Sequence, residues 1–516
     1  MTELSNPLAS PEAFLATGET FRLGFLPTEQ SHPDSQNLDR LARQDPQAAL
    51  DCLQGVDAKA WRAIDEGLNG LETLAADLKT VLNTGGRIFV AGCGATGRLA
   101  LTLESWSQVG WLPGLRPGQI VAFMAGGDAA LVRSLEGFED HPEFGRRQLN
   151  DLGFNSEDLL IGVTEGGETP FVIGATEAAS EQSRHAAWFL FCNPIEPLLR
   201  IERSRRVIES DRIRSLPLVT GPQAVAGSTR MQASSVLLAG LWLAVTAMAS
   251  PGSLRAHWSS LKQRLQSHSY RDIADFPIVE SEQYQNGNYV LYTAEESALS
   301  VLTDTTERAP TFSLVPFENL LESADALSLC YLSMPSAPTA ALAWQRLLGR
   351  SPRTVEWPQL SARSGLQRLL GFDISRQAAQ RRQQAAAPAA SDPFRVATSP
   401  AGIQWQFKDQ SLELATPGWS QPEQQLLLKL LLNAHSTCLM GRLGRYEGNC
   451  MTWVQASNGK LIDRAARTVQ MLYQRQRSRG LDYEQAVRAV FAVRSQLKPG
   501  QPVVMPALQL VLKANL

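Results

Sequence analysis

Short apolar runs that alternate with helical segments set the strongest limit on how this chain folds. Runs at residues 88–91, 120–124, 159–163 and 188–191 are each flanked by glycine or polar turn residues. Strands separated by helices are typical of βαβ units, in which helices cover both faces of a parallel sheet. Ligands of such sheets bind beyond the carboxyl ends of the strands. The pattern therefore predicts an α/β fold with a doubly wound parallel sheet and a site at that edge.

The first apolar run leads directly into a glycine turn. Residues 86–98 read Gly-Arg-Ile-Phe-Val-Ala-Gly-Cys-Gly-Ala-Thr-Gly-Arg, and a helical pattern begins at Leu99. A strand, a glycine turn and a helix N-terminus bring backbone N–H groups and the helix dipole together, which suits a phosphate. The glycines fit G-x-G-x-x-G, but no acidic ribose ligand and no Gly-Lys-Ser/Thr follows, so neither nucleotide motif is complete. On these residues alone, a tight strand–helix turn without a ligand stays an open alternative.

Composition excludes several classes of protein. A chain of 516 residues is too long for one core, so two or three domains are expected. Its net charge of −3 gives no reason to expect a nucleic acid or a membrane as partner. The six cysteines are scattered without a C-x-x-C pair, which predicts reduced thiols in a cytoplasmic protein and no metal. The apolar stretch 236–249 is short and contains Gly240, so we expect a buried core helix.

The organisation of the chain indicates a repeat. Helical periodicity covers residues 37–83, and a second, weaker cycle of apolar runs follows at 289–292, 311–315 and 327–332. A Gln/Arg/Ala-rich stretch and an alternating segment at 394–416, interpreted as a hairpin insertion, come before the last helical patterns. The predicted units are an N-terminal helical segment (1–85), a first sheet domain (86–270), a second, degenerate one (271–375), an insertion (376–420) and a helical lid (421–516).

Several motifs, weak one by one, share their order and spacing with a known family. They are residues 28–39, 92–98, 125–128, 136–140, 167–172, 192–194, 227–231 and 448–461. Together they resemble the sugar isomerase (SIS) domain proteins, specifically the type that includes N-acetylmuramic acid 6-phosphate etherase and glucokinase regulatory protein. The resemblance covers most of the chain. It implies two SIS-type doubly wound parallel-sheet domains fused as a pseudo-dimer, with a mostly helical C-terminal lid over a phosphorylated amino sugar.

The resemblance also implies a reaction. The etherase is a carbon–oxygen lyase that needs no cofactor and converts N-acetylmuramic acid 6-phosphate into N-acetylglucosamine 6-phosphate and D-lactate. Two carboxyl groups suit such work, one ionised and one protonated. Glu139 corresponds to one of them, but Trp106 stands at the position of the other, and Glu104 should face away because two residues turn a helix by about 200°. Residues 303–312 resemble the same stretch, with Glu307 at the catalytic position, so one composite site with Glu139 and Glu307 is expected.

The remaining site residues and the alternatives follow from the same resemblance. The implied substrate-binding residues are Gly94, Thr96, Gly97, Thr169, Ser228, Thr229, Asn458 and Lys460. The chain departs from the family at Gly166, Glu168 and Gln232, where serine, arginine and lysine are usual. These changes favour an alternative function, a non-catalytic hexose-phosphate sensor that binds a sugar kinase as a protein partner. Without the resemblance, Glu139, Glu307 and Lys460 read as ordinary exposed charges.

Overall fold

The N-terminal part of the protein is helical. A computed structural model describes residues 10–17, 21–135, 137–250, 252–322, 326–456, 458–498 and 501–514. The first helices are α1 (Pro11–Thr17), α2 (Leu38–Gln44), α3 (Pro46–Ala60) and α4 (Arg62–Asn83). Helix α4 buries its apolar stripe, including Leu71, Leu74 and Leu78, as the 3.6-residue period of its sequence predicts. Glu136 and Ser457, which belong to two of the family motifs, lie outside the described residues.

The first sheet has five parallel strands in the order β2-β1-β3-β4-β5. Its elements are β1 (Ile88–Gly92), α5 (Gly94–Gln108), β2 (Ile120–Met124), α6 (Pro142–Asp151), β3 (Leu159–Val163), α7 (Pro170–Gln182), β4 (Ala187–Phe191), α8 (Ile195–Leu198), α9 (Glu202–Ile208) and β5 (Ile213–Pro217). Every residue of β1 to β4 is buried. Strand β5 was not predicted because it lies at the sheet edge, where Arg214 is exposed and the apolar run is broken.

Helix α10 (Gln232–Ala249) packs on α4 and α5. Among the described residues it is the one helix long and apolar enough to cross a membrane, and 89% of it is buried inside the protein. It is therefore the core helix that the sequence predicted. Two further helices, α11 (Leu254–Ser267) and α12 (Asp275–Gln285), lead to the second sheet.

The second sheet is mixed, with the order β10-β9-β8-β6-β7. Its elements are β6 (Tyr289–Thr293), α13 (Ala298–Phe312), β7 (Cys330–Ser333), α14 (Ala340–Leu348), α15 (Ser361–Ser364), α16 (Leu366–Gly371), α17 (Arg376–Ala386), β8 (Ser391–Ser399), β9 (Gly402–Phe407) and β10 (Gln410–Ala415). Strand β6 is parallel to β7 and β8, whereas β8, β9 and β10 form an antiparallel meander.

Two expectations for this half are wrong. Residues 394–416 are not a separate hairpin insertion, because β8 pairs with β6 and the meander extends the second sheet. Their polar–apolar alternation marks strands with one buried face, as the pattern of β8 shows. Residues 311–315 are not a strand, because Thr311 and Phe312 complete the last turn of α13 and the chain then continues as a loop. The boundaries of the domains stay a prediction.

The C-terminal part is helical, but its first helix does not belong to a lid over the candidate site. The helices are α18 (Gln421–Arg442), α19 (Gly459–Arg477), α20 (Tyr483–Arg494) and α21 (Val504–Lys513). Helix α18 is buried almost throughout and packs against α2, α3, α12 and α13. It is a core helix, and the lid predicted for residues 421–516 is limited to α19–α21.

Candidate functional site

The glycine turn joins β1 to α5 without a linker. The Thr96 hydroxyl accepts a hydrogen bond from Cys93 N (3.0 Å) and donates one to Cys93 O (2.9 Å), and Thr96 is fully buried. A Cβ at Gly97 would lie 2.4 Å from Cβ of Met124, whereas Gly94 has φ +53° and open space beside it. Thr96 and Gly97 therefore determine the shape of the turn. Gly94 borders the open space at the carboxyl end of β1, which is called the mouth of the site below.

The loop after β3 lies next to this turn in the sheet order. Thr164 Oγ1 and Thr169 Oγ1 share a hydrogen bond of 2.8 Å, and Thr169 precedes α7. Glu168 forms ion pairs with Arg203 (2.6 Å) and with Lys460 of α19 (3.2 Å). Burial acts to raise the pKa of Glu168, but the two cations outweigh it and lower that pKa. The charge of Glu168, which stands where the resemblance implies an arginine, is thus neutralised by two ion pairs. One of these pairs holds Lys460 of α19 against the loop.

Glu307 reaches the first half from the second. It lies in the later turns of α13, and its Oε1 is 2.5 Å from Nη1 of Arg98 in the first turns of α5. Arg98 is 1% exposed and also donates to Leu131 O (3.0 Å). A buried guanidinium requires a partner for its charge, and Glu307 provides one. The contact brings the glycine turn and Glu307 together, as the composite site requires.

Glu139 lies on the other side of the turn. It belongs to a short 3-10 helix (Phe138–Asp140), and Cys93 Sγ donates to its Oε2 at 3.0 Å. Burial, and then the charge of Glu139, raises the pKa of Cys93 well above its usual value, so the thiol stays protonated. Cys93 is therefore a neutral hydrogen-bond donor that orients the side chain of Glu139.

Sequence reasoning missed Glu165, which follows Thr164 at the end of β3. Its side chain is 9% exposed. Burial raises the pKa of Glu165 to about 8, and the carboxylates of Glu307 and Glu139 add to the effect while Lys460 opposes it. The charges of both predicted carboxyl groups therefore act on a third, Glu165, whose raised pKa keeps it protonated at neutral pH. The residue was passed over because its burial and its neighbours are not visible in the sequence.

The lid contributes mostly structural contacts. The side-chain oxygen of Asn458 accepts a hydrogen bond from Leu461 N (2.9 Å) and thereby caps α19. This oxygen, which was predicted to contact the substrate, is therefore already occupied. Lys460 is held by Glu168, which raises its pKa and keeps it charged. Arg464 of α19 fills the space beside Gly227, so the lid lies against the loop with Ser228 and Thr229. Ser228 is buried and Thr229 is half-buried.

Trp106 and Glu104 occupy opposite sides of α5. Glu104 is buried in ion pairs with Arg350 (2.8 Å) and Arg353 (2.6 Å), away from the mouth as expected. Trp106 lines a cavity of about 30 Å³ between α5, α13, α10 and α18, together with Glu307 and Lys429. Within the described ranges, no group of three His, Cys, Asp or Glu side chains is arranged to hold a metal.

The comparison with known proteins identifies relatives of the part of the chain that carries this turn. Residues 72–180 match the family model described as the glucokinase regulatory protein N-terminal SIS domain. This part of the chain therefore resembles an SIS domain. The resemblance inferred from the sequence is thereby confirmed for residues 72–180, which include the glycine turn, Glu139, Glu165 and Thr169. The two sheets with their flanking helices confirm the α/β fold class, although the second sheet is mixed and not parallel throughout.

Curated relatives extend the match beyond the SIS domain. A segment of 213 residues is 36% identical to N-acetylmuramic acid 6-phosphate etherase of Thermosynechococcus vestitus, covering 41% of this chain and 64% of that protein. A segment of 216 residues is 34% identical to the etherase of Lactococcus lactis subsp. lactis, covering 41% and 66%. The chain thus spans slightly less than two thirds of the length of the relatives it matches.

Solved structures overlay more loosely on the chain. Tagatose-6-phosphate ketose/aldose isomerase from Escherichia coli overlays with a TM-score of 0.40 and 15% identity, covering 77% of this chain and 94% of that one. The C-terminal domain of glucosamine-fructose-6-phosphate aminotransferase from Francisella tularensis gives 0.40 and 10%, covering 74% and 96%. Overlays of this degree support no functional inference.

Proposed function

We propose that this protein is an etherase-type lyase that cleaves the lactyl ether of N-acetylmuramic acid 6-phosphate. The observation that carries the proposal is the contact between Arg98 and Glu307, which joins the glycine turn of one half to a carboxylate of the other. Its relatives at 34–36% identity that bear the etherase name support the substrate class. The backbone at Gly94 and the N-terminus of α5 suit the phosphate of such a sugar.

The proposed roles follow from the surroundings of each carboxyl group. In the open-chain sugar, Glu307, positioned by its contact with Arg98, takes the proton from carbon 2. The C–H electrons form the C2=C3 bond as the C3–O bond breaks, and Glu139, in the form of the protein in which it carries a proton, donates that proton to the leaving D-lactate oxygen. Water then adds across the double bond, with its hydroxyl on carbon 3, its proton returning to Glu139 and the Glu307 proton returning to carbon 2. The product is N-acetylglucosamine 6-phosphate.

The test measures D-lactate released from N-acetylmuramic acid 6-phosphate by the wild type and by Glu139→Gln and Glu307→Gln. Loss of a general acid or base lowers the rate by about 10²–10⁴-fold. Glu143→Gln and Glu296→Gln are matched controls, because both side chains are exposed and lie near the same elements in sequence. Wild-type protein that releases no lactate contradicts the reaction, and unchanged rates in both site variants contradict the assignment.

A second candidate is a non-catalytic sugar-phosphate sensor with a protein partner. The observation that favours it is the match of residues 72–180 to the regulatory-protein SIS domain. Binding of N-acetylglucosamine 6-phosphate without lactate release, together with co-purification of a sugar kinase whose binding depends on that ligand, would support the sensor over the lyase.

A further inference from the structure

Glu165 is an unexplained acid in the wall of the candidate site. Its Oε1 is buried and, within the described part of the chain, has no hydrogen-bond partner. Buried polar atoms are normally satisfied, so an unpaired one indicates a missing partner. Glu165 belongs to the loop that carries Thr164 and Thr169, beside the glycine turn. The loop that the phosphate would contact thus contains a carboxyl group that accepts a backbone hydrogen bond but leaves its Oε1 without a partner.

The groups around Glu165 decide what that partner is. Lys460, Glu307 and Glu139 act on its carboxyl from α19, α13 and the 3-10 helix, and its charge in turn acts on the thiols of Cys93 and Cys192. The one cation among them is already paired with Glu168. A further ionised carboxylate here would repel both its neighbours and any bound phosphate. A protonated carboxyl would instead offer an O–H donor.

We propose that the protonated Glu165 carboxyl donates a hydrogen bond to the phosphate of the bound sugar phosphate, so that anion binding depends on its proton. The inference rests on the sugar-phosphate site of the proposed function, and it assigns a specificity-determining role to a residue that the etherase chemistry does not use. In this arrangement the site accommodates a phosphate dianion because Glu165 is uncharged, and no additional cation is required.

The pH dependence of binding follows from this arrangement. A phosphate monoester becomes a dianion above a pKa of about 6, which favours binding as the pH rises to 7. Burial raises the pKa of Glu165 to about 8, so above pH 8 each bound dianion requires a proton to be taken up. The affinity should therefore fall by up to about tenfold per pH unit above pH 8. The nearby thiols and Lys460 do not titrate in this range, because their pKa values are raised.

The test is calorimetric titration of the full chain with N-acetylglucosamine 6-phosphate at pH 7.5 and 9.5. We expect the wild type to lose about 10- to 30-fold in affinity between these values, and Glu165→Gln, which keeps a donor but cannot ionise, to lose less than threefold. Glu143→Gln serves as the exposed control and should follow the wild type. Titration of the wild type at pH 8.5 in two buffers of different ionisation enthalpy should show net proton uptake, which requires no variant.

Three results would overturn the inference: an affinity independent of pH in the wild type, an equal loss in Glu165→Gln, or no binding at either pH. The outcome is separable from that of the proposed reaction. Lactate release without pH-linked binding contradicts the role of Glu165 alone, whereas pH-linked binding without lactate release contradicts the lyase alone.

Discussion

Removing either partner of the Arg98–Glu307 pair should destabilise the protein and separate its two halves at the candidate site. At 2.5 Å and an effective dielectric constant of about 20, the attraction between the two charges is roughly 6–7 kcal/mol. Desolvation offsets much of this, because the side chains are 1% and 11% exposed. Removing one partner leaves the other charge buried, so Arg98→Met or Glu307→Gln should each lower the free energy of unfolding by about 3–5 kcal/mol.

The assay is a double-mutant cycle measured by urea unfolding at pH 7, followed by tryptophan fluorescence. We expect the double variant to be less destabilised than the sum of the single ones by about 2 kcal/mol, because it leaves no unpaired charge. Strictly additive effects, within about 0.5 kcal/mol, would show that the two residues are not coupled. That result would refute the reasoning that brings Glu307 to the glycine turn.

Three smaller predictions concern the surrounding framework. Gly97→Ala should cost about 1–3 kcal/mol in thermal unfolding, because the new Cβ meets Cβ of Met124, while Gly55→Ala in α3, with no atom nearby, should not destabilise. Asn458→Ala should cost about 1 kcal/mol by removing the α19 cap, and an unchanged melting temperature would contradict that role. Burial lowers the pKa of Lys429 from 10.5 to about 7, so between these pH values the unfolded chain binds one proton more than the folded protein. The free energy of unfolding of the wild type should therefore rise relative to that of Lys429→Met from pH 7 to 9, by at most about 1.4 kcal/mol per pH unit.

The fold was readable from the sequence where each strand is buried on both faces. The strands β1 to β4 are continuous apolar runs bounded by turn residues, and all were predicted within one residue of their observed ends. The meander of β8 to β10 was misread because its one buried face gives an alternating pattern that a peripheral hairpin would also give. Which strand it pairs with is a long-range contact, and local periodicity carries no information about such contacts.

The site was predictable only in part for a related reason. The family motifs indicated Glu139 and Glu307, and the ion pair with Arg98 and the hydrogen bond from Cys93 show what surrounds each. The motifs could not show that the Thr96 hydroxyl forms its hydrogen bonds with the backbone of Cys93. A hydroxyl at the start of a helix can cap the helix or bind a ligand, and the sequence is the same in both cases. Glu165 matches no motif, and its character comes from burial, which only the packed structure reveals.

The fused halves differ in a way that predicts one bound ligand per chain. After β6, the segment corresponding to the glycine turn has Glu295 at the position of Gly94, and Glu295 accepts hydrogen bonds from the Ser336 N–H (2.7 Å) and hydroxyl (2.6 Å). A carboxylate fixed there excludes a phosphate, so restoring the acid by Trp106→Glu should not create a second site. Calorimetry with N-acetylglucosamine 6-phosphate should give one site per chain for both proteins. A stoichiometry of two in either would contradict this asymmetry, because the second ligand would have to displace Glu295 from Ser336.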